Sequence, residues 1–246
     1  MIEQLQILAY KLSRRFFTIN VYRFMTVNIG RIIQHQTTHE LSIFDSAEAL
    51  TERFPSIFDT HPEWCSLLNM RNVKLCCAIE NDKIVGRLWS IANRVPPELN
   101  HDGPDATRLP LELPDDMVFV FDVCVDPDHR GKRIYPAMFY HASNHLYETD
   151  GIRQFLITVD FANRPAKRAA DRKGFREVGR SSLMRLGPFS FARYPDAKLS
   201  PVKIGRYFGD LNSNRPQLAC ESGDSSPVSQ FDSQEHTSSE RLNGAE

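Results

Sequence analysis

The run MVFVFDVCV, Met117–Val125, constrains the fold of this chain more than any other segment. Eight of its nine residues are apolar, and the ninth is Asp122. Valines and phenylalanines in such density favour extended backbone. A strand apolar on both faces has to be covered on both sides, which places it at the centre of a sheet between two layers. Residues 123–139, VCVDPDHRGKRIYPAMF, then pass from that strand through a short turn straight into a helical pattern.

The remainder alternates around this strand. Residues 20–29 (NVYRFMTVNI) read as a strand. Two short helices follow, each with a capping box: Asp45 and Glu48 before AEALTERF, and Thr60 and Glu63 with Pro62 in the first turn. Residues 73–79 and 84–91, joined across Asn81-Asp82, form a hairpin. A connection over 93–114 holds Pro96, Pro97, Pro104, Pro110 and Pro114, a length usual for functional or mobile loops. After the central strand come a helix over 135–147, a strand over 155–159 and a helix over 164–172. A strand over 175–186 closes the series, with room for one more. The expected fold class is α+β (mixed α/β), with a central mixed, partly parallel sheet flanked by helices.

The two ends differ from this middle. Residues 2–16 set Ile2, Leu5, Leu8, Leu12 and Phe16 near helical spacing, with Lys11, Arg14 and Arg15 elsewhere on the surface. We expect residues 1–18 to be an amphipathic helix that docks on the domain; contact with an anionic membrane or a second copy (a homodimer) stays open. It is too short and too charged to span a bilayer. From Asp210 onward seven acids face two arginines in a stretch rich in Ser, Asn and Gln. Residues 201–246 are therefore read as an extension, disordered from about 212. Residues 19–200 are read as one domain.

Composition narrows the function. In 246 residues, 30 Lys+Arg meet 31 Asp+Glu, and a net charge of −1 argues against a nucleic-acid partner. An apolar share of 41%, with 12 Gly and 15 Pro, excludes collagen, a disulfide mini-protein and a wholly disordered chain. Five cysteines, an odd number without C-x2-C spacing or a secretory leader ahead of them, read as reduced thiols in a cytoplasmic protein. Cys124 reads as core.

The turn after the central strand carries the chemistry. A helix N-terminus leaves backbone N–H groups unpaired, and its dipole favours an anion. Arg130, Lys132 and Arg133 surround the same point, with Gly131 between them, which makes a seat for a pyrophosphate; a solvated basic turn is the plain alternative. Walker and G-x-G-x-x-G patterns are missing, against a nucleotide triphosphatase or a Rossmann dehydrogenase. No G-x-S-x-G elbow occurs either.

Residues 125–135, VDPDHRGKRIY, resemble the V-x-P-x-x-R-G-K-G-I-G block of the GNAT superfamily of acyl-CoA-dependent N-acetyltransferases. A second block of that family is matched by Asn163, Ala166 and Gly174-Phe175, and the resemblance spans roughly residues 20–190. It implies acetyl-CoA, or another acyl-CoA, as co-substrate. The strand at Val123 and Val125 would offer backbone groups to the pantetheine amides. The turn of Arg130, Gly131, Lys132, Arg133, Ile134 and Tyr135 would bind the pyrophosphate. Asn163 would stand near the pantetheine arm, or serve only as a helix N-cap with Pro165 in the first turn. Arg164, Lys167 and Arg168 read as a solvated helix face, with contact to the cofactor's phosphates as the alternative.

Three departures from the family pattern bear on mechanism. Arg133 stands where Gly is usual, Tyr135 replaces a small residue, and Ala170 stands where many members carry the Tyr that protonates the leaving thiolate. Asp122, taken as a buried carboxylate interrupting an apolar strand, is the candidate general base, with a paired structural carboxylate as the alternative. His141 and His145, and His35 and His39, are each four apart, but neither pair forms H-E-x-x-H. They read as exposed helix or loop histidines, and no metal site is expected. The expected function is transfer of acetyl to a primary amine of a small molecule or peptide. A non-catalytic acyl-CoA-binding module and a longer-chain acyltransferase are the alternatives. Asp102, Asp105, Glu112, Asp115 and Asp116 would suit a cationic acceptor, or be simple loop solvation.

Overall fold

The computed structural model describes residues 2–16, 18–96, 99–100, 111–186, 189–193 and 203–204. The chain runs through α1 (Ile2–Phe16), β1 (Thr18–Asn28), β2 (Glu40–Phe44), α2 (Ala47–Arg53), α3 (Ile57–Thr60), α4 (Pro62–Leu68), β3 (Val73–Glu80) and β4 (Lys83–Ala92). It continues with β5 (Arg94–Val95), β6 (Leu111–Glu112), β7 (Met117–Val125), α5 (Ile134–Asp150), β8 (Gln154–Asp160), α6 (Arg164–Arg172), β9 (Arg176–Leu186), β10 (Phe189–Arg193) and β11 (Lys203–Ile204). The predicted acidic tail, with its disorder from about 212, and Asp102 and Asp105 lie outside the described residues.

Eight strands form one sheet in the order β10-β9-β1-β8-β7-β4-β3-β2. Neighbours pair antiparallel except β7 and β8, which run parallel, so the sheet is mixed and partly parallel as expected. The β3–β4 hairpin turns at Asn81-Asp82, whose φ angles of 51° and 58° are the left-handed pair of a two-residue hairpin loop. Short β5, β6 and β11 pair in a second, three-stranded sheet, which closes the base of the proline-rich connection. Lys203–Ile204 belong to the stretch assigned from the sequence to the C-terminal extension, and they pair with β6.

Two apolar layers cover the main sheet. Met138, Phe139 and Leu146 of α5 pack with Val118, Val120 and Phe155 on one face. Leu50, Trp64 and Leu68 of α2 and α4 pack with Trp89, Phe119 and Phe121 on the other. Gly86 on β4 is where α5 comes closest. A Cβ there would lie 3.1 Å from Ile134 Cγ2 and 3.2 Å from Met138 Sδ. The branched Ile134 side chain yields little, so Gly86→Ala should cost about 1 kcal/mol in urea unfolding. An unchanged midpoint would mean that Met138 simply slides aside.

Several local expectations are corrected. The cap of α2 is Ser46, which accepts from Ala49 N, not Asp45. α4 starts at Pro62 without a side-chain cap, and the Thr60 hydroxyl instead donates to Ile57 O. A third short helix, α3, stands between them. The edge strand β2 was not expected. Its ELSIF pattern is mostly half-exposed, so the alternation that marks a strand is blurred.

The face on which α1 docks is also different. Ile7 and Tyr10 are its buried residues and pack with Val21 and Phe161. Tyr10 accepts a hydrogen bond from Val21 N and lies 5.7 Å from the Phe161 ring, edge to face. Leu5, Leu8 and Leu12, the stripe picked by periodicity, are exposed. Tyr10 decides the orientation because its ring and hydroxyl both find partners at the end of β8, which a purely aliphatic stripe cannot. Among the described residues no helix is long and apolar enough to cross a membrane.

Candidate active site

Among the described residues the one parallel pair in the main sheet is short. β7 and β8 share the positions Met117↔Gln154, Val118↔Phe155 and Phe119↔Leu156, and beyond Phe119 the strands part. β7 continues for six residues with its opposite edge on β4. Among the described residues no strand pairs with the β8-side edge of β7 from Val120 to Val125, which leaves an open edge that an extended chain can join.

A bulge marks the same place. Trp89 pairs with Phe121 and Arg87 with Cys124, so Asp122 and Val123 together oppose Leu88. Asp122 takes φ +42°, a left-handed conformation that Asp tolerates better than most residues. Its carboxylate is not buried as expected: the side chain is 49% exposed. Both oxygens are engaged by Arg87, whose Nε donates to Oδ2 at 2.8 Å and Nη2 to Oδ1 at 3.3 Å. The strand is thus buried on both faces only through Phe121, and its last four residues are exposed or half-buried. The physical reason is the parting of the strands, which removes the neighbour that would cover them.

Val123 and Val125 pack toward the α5 layer. Cys124 points the other way, but it is half-buried rather than core and lines a cavity of about 550 Å³. That cavity lies against α2–α4, and Arg53, Trp64, Asp82, Arg87 and Asp126 also line it. His61 stacks on Trp64 at 4.3 Å, and the Arg87 guanidinium lies 5.6 Å from the Trp64 ring. The cavity has aromatic wall, cations and carboxylates, the mixture suited to a polar organic molecule.

Beyond Val125 a 3-10 turn (Pro127–His129) leads to Arg130, Gly131, Lys132 and Arg133, all exposed. Gly131 has φ +82° and nothing within 4 Å of a Cβ position. Arg133 is the N-cap of α5 with φ +62° and gives no side-chain cap. The left-handed backbone explains why Gly suits this position in the family pattern; arginine bears a cost of about 1 kcal/mol there. The N–H groups of the first turn are left for another acceptor, except at Pro136, which has none. Among the described residues no ion pair engages Arg130, Lys132 or Arg133; Arg130 Nε donates to Val125 O at 3.3 Å. Ile134 is buried beneath the turn, and Tyr135 packs on Phe139 at 4.9 Å, burial pushing its hydroxyl up to about 12.

Asn163 caps α6, its Oδ1 accepting from Ala166 N at 3.0 Å, with Pro165 in the first turn. Lys167 pairs with Asp171, in keeping with a solvated helix face. Ala170 is buried in the α5 layer, so no hydroxyl stands there. Among the described residues no acidic partner meets His141 or His145, and burial lowers the pKa of His141. His39 is the correction among the histidines. It is buried, with Glu80 and His129 against it. Those partners lie 41 and 90 residues away along the chain, and no local spacing signals them.

A model of the acetyltransferase (GNAT) family matches residues 43–175, more than half of the chain. No curated protein matches. Among solved structures, a functionally unknown conserved protein from Staphylococcus epidermidis ATCC 12228 is 12% identical, with a TM-score of 0.47 over 72% of this chain and 64% of that one. A GCN5-related N-acetyltransferase from Kribbella flavida is 15% identical, with a TM-score of 0.45 over 73% and 64%. An aminoglycoside N-acetyltransferase in complex with CoA is 13% identical, with a TM-score of 0.39 over 56% and 92%. The chain thus spans 64% of the length of each of the first two. The family match runs from β2 through α6, across the open strand edge, the basic turn and the capped α6, and on it this chain belongs to the GNAT acetyltransferase family.

Proposed function

We propose that the protein is an acyl-CoA-dependent N-acyltransferase that moves acetyl from acetyl-CoA to a primary amine of a small molecule or peptide. The observation that carries this reading is the open edge of β7 leading directly into the basic turn at the start of α5. Backbone groups of Val123 and Val125 would pair with the pantetheine amides as an added strand does. N–H groups of Gly131, Lys132, Arg133, Ile134 and Tyr135 would face the pyrophosphate, with the cations of Arg130, Lys132 and Arg133 around it. Asn163 would hold the start of α6 beside the pantetheine arm while capping it. The thioester supplies an activated acyl carbon. The chain's residues orient it, exclude water and accept the proton released when the C–N bond forms and the C–S bond breaks.

Asp122 is the proposed proton acceptor, directly or through water, and its carboxylate is held by Arg87, which lines the cavity. The acceptor amine would occupy that cavity. The four described cysteines, Cys65, Cys76, Cys77 and Cys124, are unbridged, which supports the cytoplasm as compartment. The exposed stripe of Leu5, Leu8 and Leu12 supports contact with a second copy, tested by sedimentation of wild type and Leu8→Ser.

Calorimetric titration with acetyl-CoA tests the reading: micromolar binding is expected, and no heat at high micromolar concentration rejects it. Lys132→Glu should weaken that binding about tenfold, the worth of one charge-assisted contact of roughly 1.5 kcal/mol. A second reading, a binding module without turnover, draws on the buried Ala170. Thiol release with any member of an amine panel would reject it.

A further inference from the structure

We propose that His39, Glu80 and His129 form a binding site for a divalent transition-metal cation of the zinc class. The three residues come from separate segments: the approach to β2, the end of β3, and the 3-10 turn ahead of the basic loop. One ligand atom from each lies within 4.8 Å of the others. His39 Nε2 stands 3.1 Å from Glu80 Oε1, and His129 Nε2 stands 2.8 Å from Glu80 Oε2.

The spacing is close to that of a tetrahedral zinc site. With metal–ligand bonds of 2.0–2.1 Å, neighbouring ligand atoms lie about 3.4 Å apart. The two histidines contact different oxygens of Glu80, at 3.1 and 2.8 Å, so the carboxylate would turn and the imidazoles move outward to admit the ion. Burial is graded as such a site requires: the His39 side chain is 2% exposed, His129 18% and Glu80 39%. The open side leaves a coordination position for water.

The hydrogen-bonding of His39 points the same way. Thr37 Oγ1 lies 3.0 Å from His39 Nδ1 and positions the ring. In the tautomer whose Nδ1–H donates to Thr37, the Nε2 lone pair faces a carboxylate oxygen, an arrangement that a cation between them turns from repulsive to favourable. Nε2 is buried, and its contact with Glu80, though short, lacks hydrogen-bond direction. Imidazole and carboxylate ligands together select zinc-class cations over calcium or magnesium, which prefer oxygen alone. A cation here would pin the turn before Arg130 to the β3–β4 hairpin, and so brace the basic loop from below.

The test uses the full chain, stripped with a chelator and titrated with Zn2+, or with Co2+ for its visible absorption. One equivalent should bind, and thermal unfolding should rise by roughly 5–10 °C with zinc at about 100 times its Kd. His39→Ala and His129→Ala should each weaken binding by more than the roughly 10–100-fold that outer-shell changes cause. Glu80→Gln, which keeps the volume of the side chain, decides the matter if a histidine variant fails to fold, and it should weaken binding comparably. Absence of binding by wild type overturns the proposal, as does an equivalent that survives all three substitutions. Acetyl-CoA titration of the same samples is independent, so failure of the metal site leaves the proposed function standing.

Discussion

Replacing Asp122 with Asn is expected to lower kcat about 100-fold, the low end of what a positioned base contributes, and to leave acetyl-CoA affinity within about twofold. The substitution keeps the shape of the side chain and its place in the bulge, and an amide oxygen can still accept from Arg87 Nε. What is lost is a group able to take a proton at the open edge of β7. Arg87→Gln provides the control. If the ion pair is purely structural, both variants lose stability and activity together. If Asp122 accepts the proton, Arg87→Gln, which keeps the carboxylate but loosens it beside the cavity, loses less turnover than Asp122→Asn. Steady-state kinetics with acetyl-CoA saturating, beside calorimetric Kd values, separates the cases. Equal kcat in wild type and Asp122→Asn would remove Asp122 from the chemistry.

Trp89→Ala should cost about 3–5 kcal/mol in urea unfolding, the usual range for emptying a buried aromatic site. Trp89 is fully buried on β4, edge to face with Trp64 at 5.7 Å and stacked near Phe121 at 6.3 Å. It joins the sheet to α4 immediately beside the bulge. A loss of that size is a large part of the 5–15 kcal/mol that holds a typical domain. Trp89→Phe should be much milder. It leaves a smaller void and also removes the indole Nε1–H, which is buried with no hydrogen-bond partner among the described residues. If the two variants proved equally destabilised, packing against Trp64 would not be the origin of the effect.

Elements whose signals are local were legible in the sequence. The hairpin was readable because Asn81-Asp82 tolerates left-handed backbone between two β-type runs. α6 was readable from Asn163 and Pro165 at its start, and its observed span, Arg164–Arg172, is the expected one. The strand–turn–helix around Arg130 was readable for the same reason. Signals that compete at one position were not resolved: Ser46 took the cap from Asp45 by one residue, and α1 turned Tyr10 inward in place of its leucines.

By itself, the sequence determined that a buried strand must run into a basic turn and a helix, because hydrophobic period, turn chemistry and capping act over a few residues. Only the tertiary structure decided where β1 would go: it lies between β8 and β9, five places from its successor β2. It also decided that β7 and β8 would part after three pairs, and that a bulge would turn Asp122 outward onto Arg87. The gathering of His39, Glu80 and His129 is of the same kind. Each of these rests on strand pairing or burial between residues 32 to 167 positions apart, where the outcome depends on which layer covers which edge. Chain order carries no direct record of that.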